Sequence, residues 1–241
     1  MISNLLRNLP DVTKNLLIIN ILMFAGIYFL PQFSGMLALH NIGSELFKPH
    51  QLLTHIFMHG SLPHLFFNMF ALVMFGGQLE KVWGGKKFLI IYFASAAGAL
   101  LLQLGINYYN YASVMNQYSI QDLSEIKDIV TNISYSAKYP SVLISGIEAE
   151  LVNNVGMVGA SGAIMGLLAG FGYLFPNTEL YLYMLFPVKA KIFIPILILL
   201  DLYLGVRNFE FDNVAHFAHL GGAIAGFLLV YFWNKKRDNF Y

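Results

Sequence analysis

The sequence predicts an all-α, polytopic membrane protein whose six spanning helices form one domain over residues 1–241. Three observations predict it. Hydrophobic residues make up 57% of the chain and charged residues only 11%, against about 25% charge in a soluble domain, so lipid is the solvent for most of it. Six stretches approach the roughly 20 apolar residues that cross a bilayer: 13–31, 62–80, 87–108, 157–175, 190–206 and 214–233. Lysine and arginine gather between these stretches on one side, as the positive-inside rule requires.

The first stretch follows Arg7 and Lys14 and resembles a signal sequence, but Leu30 is followed by Pro31-Gln32-Phe33, not by a small-x-small cleavage pattern. It reads as an uncleaved span. Residues 32–61 form a first outer loop of mixed character. Spans two and three flank Lys81, Lys86 and Lys87; spans four and five flank Lys189 and Lys191; Lys235, Lys236 and Arg237 follow span six. With Arg7 and Lys14, that is ten of the fourteen basic residues on one side, so both termini are expected in the cytoplasm. Residues 109–155 are too polar to span and form an extended outer segment, with Ile120 to Val130 a candidate amphipathic helix and Asn132-Ile133-Ser134 a glycosylation-type triplet. The segment reads either as an elaboration of the outer surface or as a substrate-docking lid. Residues 176–187 alternate between two prolines and carry three aromatics, an interfacial connector.

Composition removes several function classes. A net charge of +1 lacks the basic face that nucleic acid needs. The absence of cysteine removes disulfides, thiolate catalysis and cysteine metal sites. His-x-x-His at 216 and 219 with His55 and His59 suggests zinc or haem, but no His-Glu-x-x-His motif is present and no carboxylate is expected beside these histidines to orient them. No metal and no cofactor are expected.

Three polar clusters inside the spans carry the chemistry. Gly159-Ala160-Ser161-Gly162 heads span four. If its helix runs from Ser161 to just before Pro176, it measures about 22 Å at 1.5 Å per residue, short of the roughly 30 Å hydrocarbon core. Ser161 then lies below the outer surface, at a helix N-terminus whose free amides favour negative charge. The irregular backbone before it needs hydrogen bonds from protein or water. His64 and Asn68, four apart, share a helical face and can donate from neutral side chains. With the Ser161 amide they form a candidate oxyanion hole. His55 and His59 read as donors to loop carbonyls. In span six, Gly222 and Gly226 match the spacing of Gly162, Gly166 and Gly170, so two backbones can meet. That contact carries His219 to Ser161 as general base; His216 is the rival. Each cluster alone also reads as a packing or hydrogen-bonding device. Asp201, inside span five, reads as a structural or water-facing residue.

Together the clusters resemble the rhomboid intramembrane serine proteases of the six-span bacterial type. Gly159-Ala160-Ser161-Gly162 is similar to the family's nucleophile motif, His64-Leu65-Phe66-Phe67-Asn68 to its His-xxx-Asn motif, and Ala218-His219-Leu220-Gly221-Gly222 with Gly226 to its base-bearing last span. His50-Gln51 stands where the family often has Trp-Arg, and Met165 where it often has an aromatic. The resemblance implies a six-helix rhomboid-like bundle in the membrane of a bacterial cell. It implies a Ser161–His219 dyad without a catalytic aspartate, His64 and Asn68 on the oxyanion, and transmembrane protein substrates with small residues near the scissile bond. An inactive relative that binds membrane helices without cutting them, and a transporter or redox protein, are the rival functions; oligomeric state stays open.

Overall fold

The computed structural model describes residues 8–40, 42, 44, 46–115, 157–182, 186–207 and 214–238. The first span is α1 (Asp11–Phe29), which follows Pro10 and stops ahead of Pro31. Its opening amides are closed from a distance. The buried Glu80 carboxylate accepts from Val12 N at 3.0 Å, Thr13 N at 2.7 Å and Thr13 Oγ1 at 2.7 Å.

Helix α2 (Leu62–Ala71) starts behind Ser61, whose side chain accepts from the His64 amide at 3.2 Å, with a proline in the first turn. A π-helical stretch, Leu72–Gly76, joins it to α3 (Gly77–Met115). Within α3, Gly84 takes φ +77° and ψ 161°, a conformation that favours glycine, and divides this long run into the second and third spans. Lys81, Lys86 and Lys87 flank the break, where a basic turn was expected. The third span continues to Met115, beyond the hydropathy boundary at 108. The Ile120–Val130 helix and the Asn132 triplet lie outside the described residues.

Helix α4 (Ser161–Leu174) has 14 residues, about 21 Å, as its sequence limits require. The connector after it pairs as an antiparallel hairpin of β1 (Glu179–Leu182) and β2 (Phe186–Lys189), with Glu179 opposite Lys189. This hairpin is the exception to the all-α expectation, and the alternation of residues 179–189 was its signal. Helices α5 (Ala190–Arg207) and α6 (His216–Asp238) complete the order.

Helix α4 is the hub. Every residue from Gly162 to Phe171 is buried, as befits a helix apolar on all sides. Its glycines let α6 come to backbone contact: a Cβ on Gly226 would lie 2.5 Å from Gly166 Cα, and one on Gly166 would lie 2.7 Å from the Gly222 carbonyl oxygen. Helix α3 closes in the same way, with a Cβ on Gly98 falling 2.8 Å from the Gly221 oxygen. Small residues thus set the spacing of α3, α4 and α6. The outside is apolar instead: Leu22, Phe29, Phe67, Leu101 and Leu199 are each more than 60% exposed. Such a surface suits acyl chains. By length and composition Asp11–Phe29, Leu62–Asn110 and His216–Lys235 suffice to cross a membrane, the second holding the Gly84 break. The protein is an all-α polytopic membrane bundle, with α4 too short to cross alone.

Candidate active site

The serine sits where a short helix begins. Ser161 is the first residue of α4, and the first intrahelical bond at this end runs from Ile164 N to Ala160 O at 2.9 Å. The Ser161, Gly162 and Ala163 amides therefore have no acceptor within the helix, and the dipole adds positive potential there. The extended approach to Ser161 is pinned. Met157 and Leu39 exchange backbone bonds of 2.7 and 3.0 Å, and Gly159 N donates to His55 O at 2.9 Å. The irregular backbone ahead of Ser161 thus has the protein partners expected of it; Gly156 lies outside the described residues.

Gly159 takes φ +123°, a region closed to most side chains. A Cβ there would lie 2.8 Å from both Cε1 and Nε2 of His64, and 3.6 Å from Ser161 Oγ. The missing side chain leaves room for the imidazole next to the hydroxyl. His64 stands in the first turn of α2, positioned by the Ser61 cap. Asn68, one turn on and buried, donates one amide hydrogen to the His64 carbonyl at 2.9 Å; its second hydrogen is the donor it can offer. His59 packs edge-on against His64 with ring centroids 5.0 Å apart. Contrary to expectation, neither His59 ring nitrogen makes a hydrogen bond among the described residues. His55 does, through Nδ1 to Gln51 O at 2.7 Å.

The glycine contact between α4 and α6 brings the Ala218–Gly222 turn to the level of Gly162: a Cβ on Gly162 would lie 3.5 Å from the Ala218 oxygen. His219 belongs to that turn. Among the described residues, Ser161 Oγ and His219 are not hydrogen-bonded to each other; such contacts commonly tighten only around bound substrate. His216 faces α5 instead, where a Cβ on Gly205 would lie 2.8 Å from its own Cβ.

Asp201, read from the sequence as structural or water-facing, is turned inward and mostly enclosed. Its carboxylate, on α5, accepts from His216 Nδ1 at 2.6 Å and from His219 Nδ1 at 3.0 and 3.2 Å. The histidines thus do have a carboxylate beside them, contrary to expectation. The signal was present: an ionisable side chain inside a span usually faces a functional interior. What the sequence could not supply was the rotation of α5 that aims it at α6. The other residue missed is Gln51. Fully buried, it accepts from the His40 and Lys48 amides and donates to the Met36 and Leu46 carbonyls. It ties the first outer loop together at the His50-Gln51 position.

A hydroxyl at a helix N-terminus, neutral donors beside it and an imidazole delivered by a neighbouring helix can together support acyl transfer. Comparison with known proteins bears on the family of the chain, not on the roles of these residues. The rhomboid domain family matches residues 46–236. A mitochondrial rhomboid protein of Schizosaccharomyces pombe is 30% identical over 202 residues, 77% of this chain and 52% of the relative. Mitochondrial rhomboid protein 1 of Saccharomyces cerevisiae is 27% identical over 76% of this chain and 41% of its own length. Rhomboid protease GluP of Bacillus subtilis is 26% identical over 73% of this chain and 24% of its own. The chain spans about half, or less, of the length of these relatives. Two of them are mitochondrial, which does not fit the expected bacterial cell membrane.

Proposed function

The chain belongs to the rhomboid family, and from that premise we propose that it is a serine endopeptidase working inside the bilayer. Ser161 Oγ attacks the peptide carbonyl of a membrane helix. His219 takes the hydroxyl proton and returns it to the leaving amine. The Ser161 amide, the His64 ring and the Asn68 amide hold the oxyanion, each donor worth about 3–4 kcal/mol of barrier. The substrates of this reading are transmembrane helices with small residues near the cut, as the resemblance implies.

The observation that carries it is the space left by Gly159, which places the His64 ring and the Ser161 hydroxyl side by side at the free amides of α4. A structural serine requires neither the positive-φ glycine nor the imidazole. The test is labelling of detergent-purified protein with a fluorophosphonate probe. Wild type should label, and Ser161→Ala and His219→Ala should not. Folded wild type that stays unlabelled would return the chain to the helix-binding alternative. Labelling that survives Ser161→Ala would move the nucleophile to another serine.

A further inference from the structure

The resemblance implies a two-residue Ser–His machine, and the structure adds a third member. We propose that Asp201 is a positioning residue for His219, so that this chain works through a Ser161–His219–Asp201 relay spread over α4, α6 and α5. The inference rests on the protease reading above.

An ionised carboxylate only accepts hydrogen bonds. The contacts at 3.0 and 3.2 Å therefore require the neutral His219 ring to carry its hydrogen on Nδ1. Its lone pair then sits on Nε2, and that nitrogen alone can receive the serine proton. A neutral imidazole without such a partner is free to take either tautomer, and one of the two leaves Nε2 protonated and unable to act as base. The same bond fixes the ring about its χ angles, since two oxygens hold one N–H. When His219 takes the proton, the neighbouring negative charge stabilises the imidazolium, while the proton stays on the ring.

His216 explains why the carboxylate stays in place. Its Nδ1 donates to Oδ1 at 2.6 Å, shorter than either contact to His219. Asp201 is mostly enclosed, with 13% of its side chain exposed. A carboxylate in such a place needs more than one donor. His216 is the anchor, and His219 is the ring being set. The two histidines rise from one face of α6 three residues apart, so a single carboxylate on α5 reaches both. The arrangement also ties the base to α5: His219 is oriented only while α5 lies against α6.

The full chain in detergent tests this with Asp201→Asn, Asp201→Glu and His216→Gln. Probe labelling rates are followed across pH beside thermal unfolding, and ¹⁵N-histidine spectra report the His219 tautomer. Asp201→Asn should label at least about 100-fold more slowly, with a changed pH profile and His219 shifted away from the Nδ1–H form. Asp201→Glu should recover part of the rate. His216→Gln should lose less than about 10-fold, because the glutamine amide can still donate to the carboxylate and so keeps it against His219. Wild-type labelling in Asp201→Asn would overturn the proposal. So would a slow Asp201→Asn whose His219 tautomer is unchanged and whose loss tracks unfolding. If the wild type does not label at all, the protease reading fails, while the tautomer spectra still decide whether Asp201 sets His219.

Discussion

The Cβ that Gly159 lacks would overlap the His64 imidazole, 2.8 Å from Nε2. A glycine two residues before the serine therefore fixes where the His64 ring, the proposed oxyanion donor, stands. In Gly159→Ala the methyl group meets the ring and the backbone resists φ +123°, at a cost of about 1–3 kcal/mol. Labelling by the fluorophosphonate probe should fall about 100-fold or more, while the variant still purifies as a folded protein. A variant that labels at the wild-type rate would show that the ring position is not needed.

The Glu80 carboxylate gives a stability prediction away from the site. It joins the end of the second span to the start of α1 through three donors across 67 and 68 residues of chain. Glu80→Ala leaves those donors buried without a partner and should cost about 2–3 kcal/mol, visible as a lower unfolding midpoint. Labelling per folded molecule should stay within about 2-fold of wild type, because Glu80 serves the opposite end of the bundle from Ser161. Glu80→Gln, which keeps one acceptor oxygen, should lie between the two.

Acid should weaken the fold through the loop ahead of α2. Burial, and secondly the neighbouring His64 ring, push the His59 imidazole down from 6.5 to about 4; burial also lowers His55. Between those two values an unfolded chain binds a proton at His59 that the folded chain refuses. The folded state is therefore undiminished above pH 6.5 and loses stability as pH falls toward 4. Allowing for solvent screening, the effect of His59 is about 2 kcal/mol. Unfolding midpoints between pH 7.5 and 4 should fall less steeply in His59→Phe than in wild type. Parallel slopes would exclude His59 as the source.

These predictions draw unequally on what the sequence discloses. Local patterns were legible. The reach from Ser161 to Pro176 set the length of α4, and the four-residue glycine spacing gave its contact with α6. Arrangements that depend on how two helices rotate were not. Asp201 is 15 residues from His216 and 18 from His219, and nothing between them states that α5 turns its carboxylate inward. Glu80 closing α1 and Gln51 gathering the first outer loop are likewise side chains whose partners are set by tertiary packing. The π-helical stretch at Leu72–Gly76 left no sign in hydropathy, because an extra residue in a turn does not alter an apolar run.

The same rotation predicts that the proposed base, His219, is sensitive to metal. Asp201, His216 and His219 offer ligand atoms all within 4.8 Å of one another. Zinc bonds of about 2.0–2.2 Å in a tetrahedral arrangement ask for ligands a little over 3 Å apart, so small side-chain movements suffice. A zinc ion there displaces the hydrogen from His219 Nδ1, and the neutral ring must then carry its hydrogen on Nε2, where the serine proton has to go. Added zinc should therefore slow probe labelling reversibly, with a chelator restoring the rate. His216→Gln removes one of three ligands while its amide can still hold the Asp201 carboxylate, and should raise the zinc concentration for half inhibition about 10-fold or more. Equal sensitivity in His216→Gln and wild type would place the inhibiting zinc elsewhere on the chain.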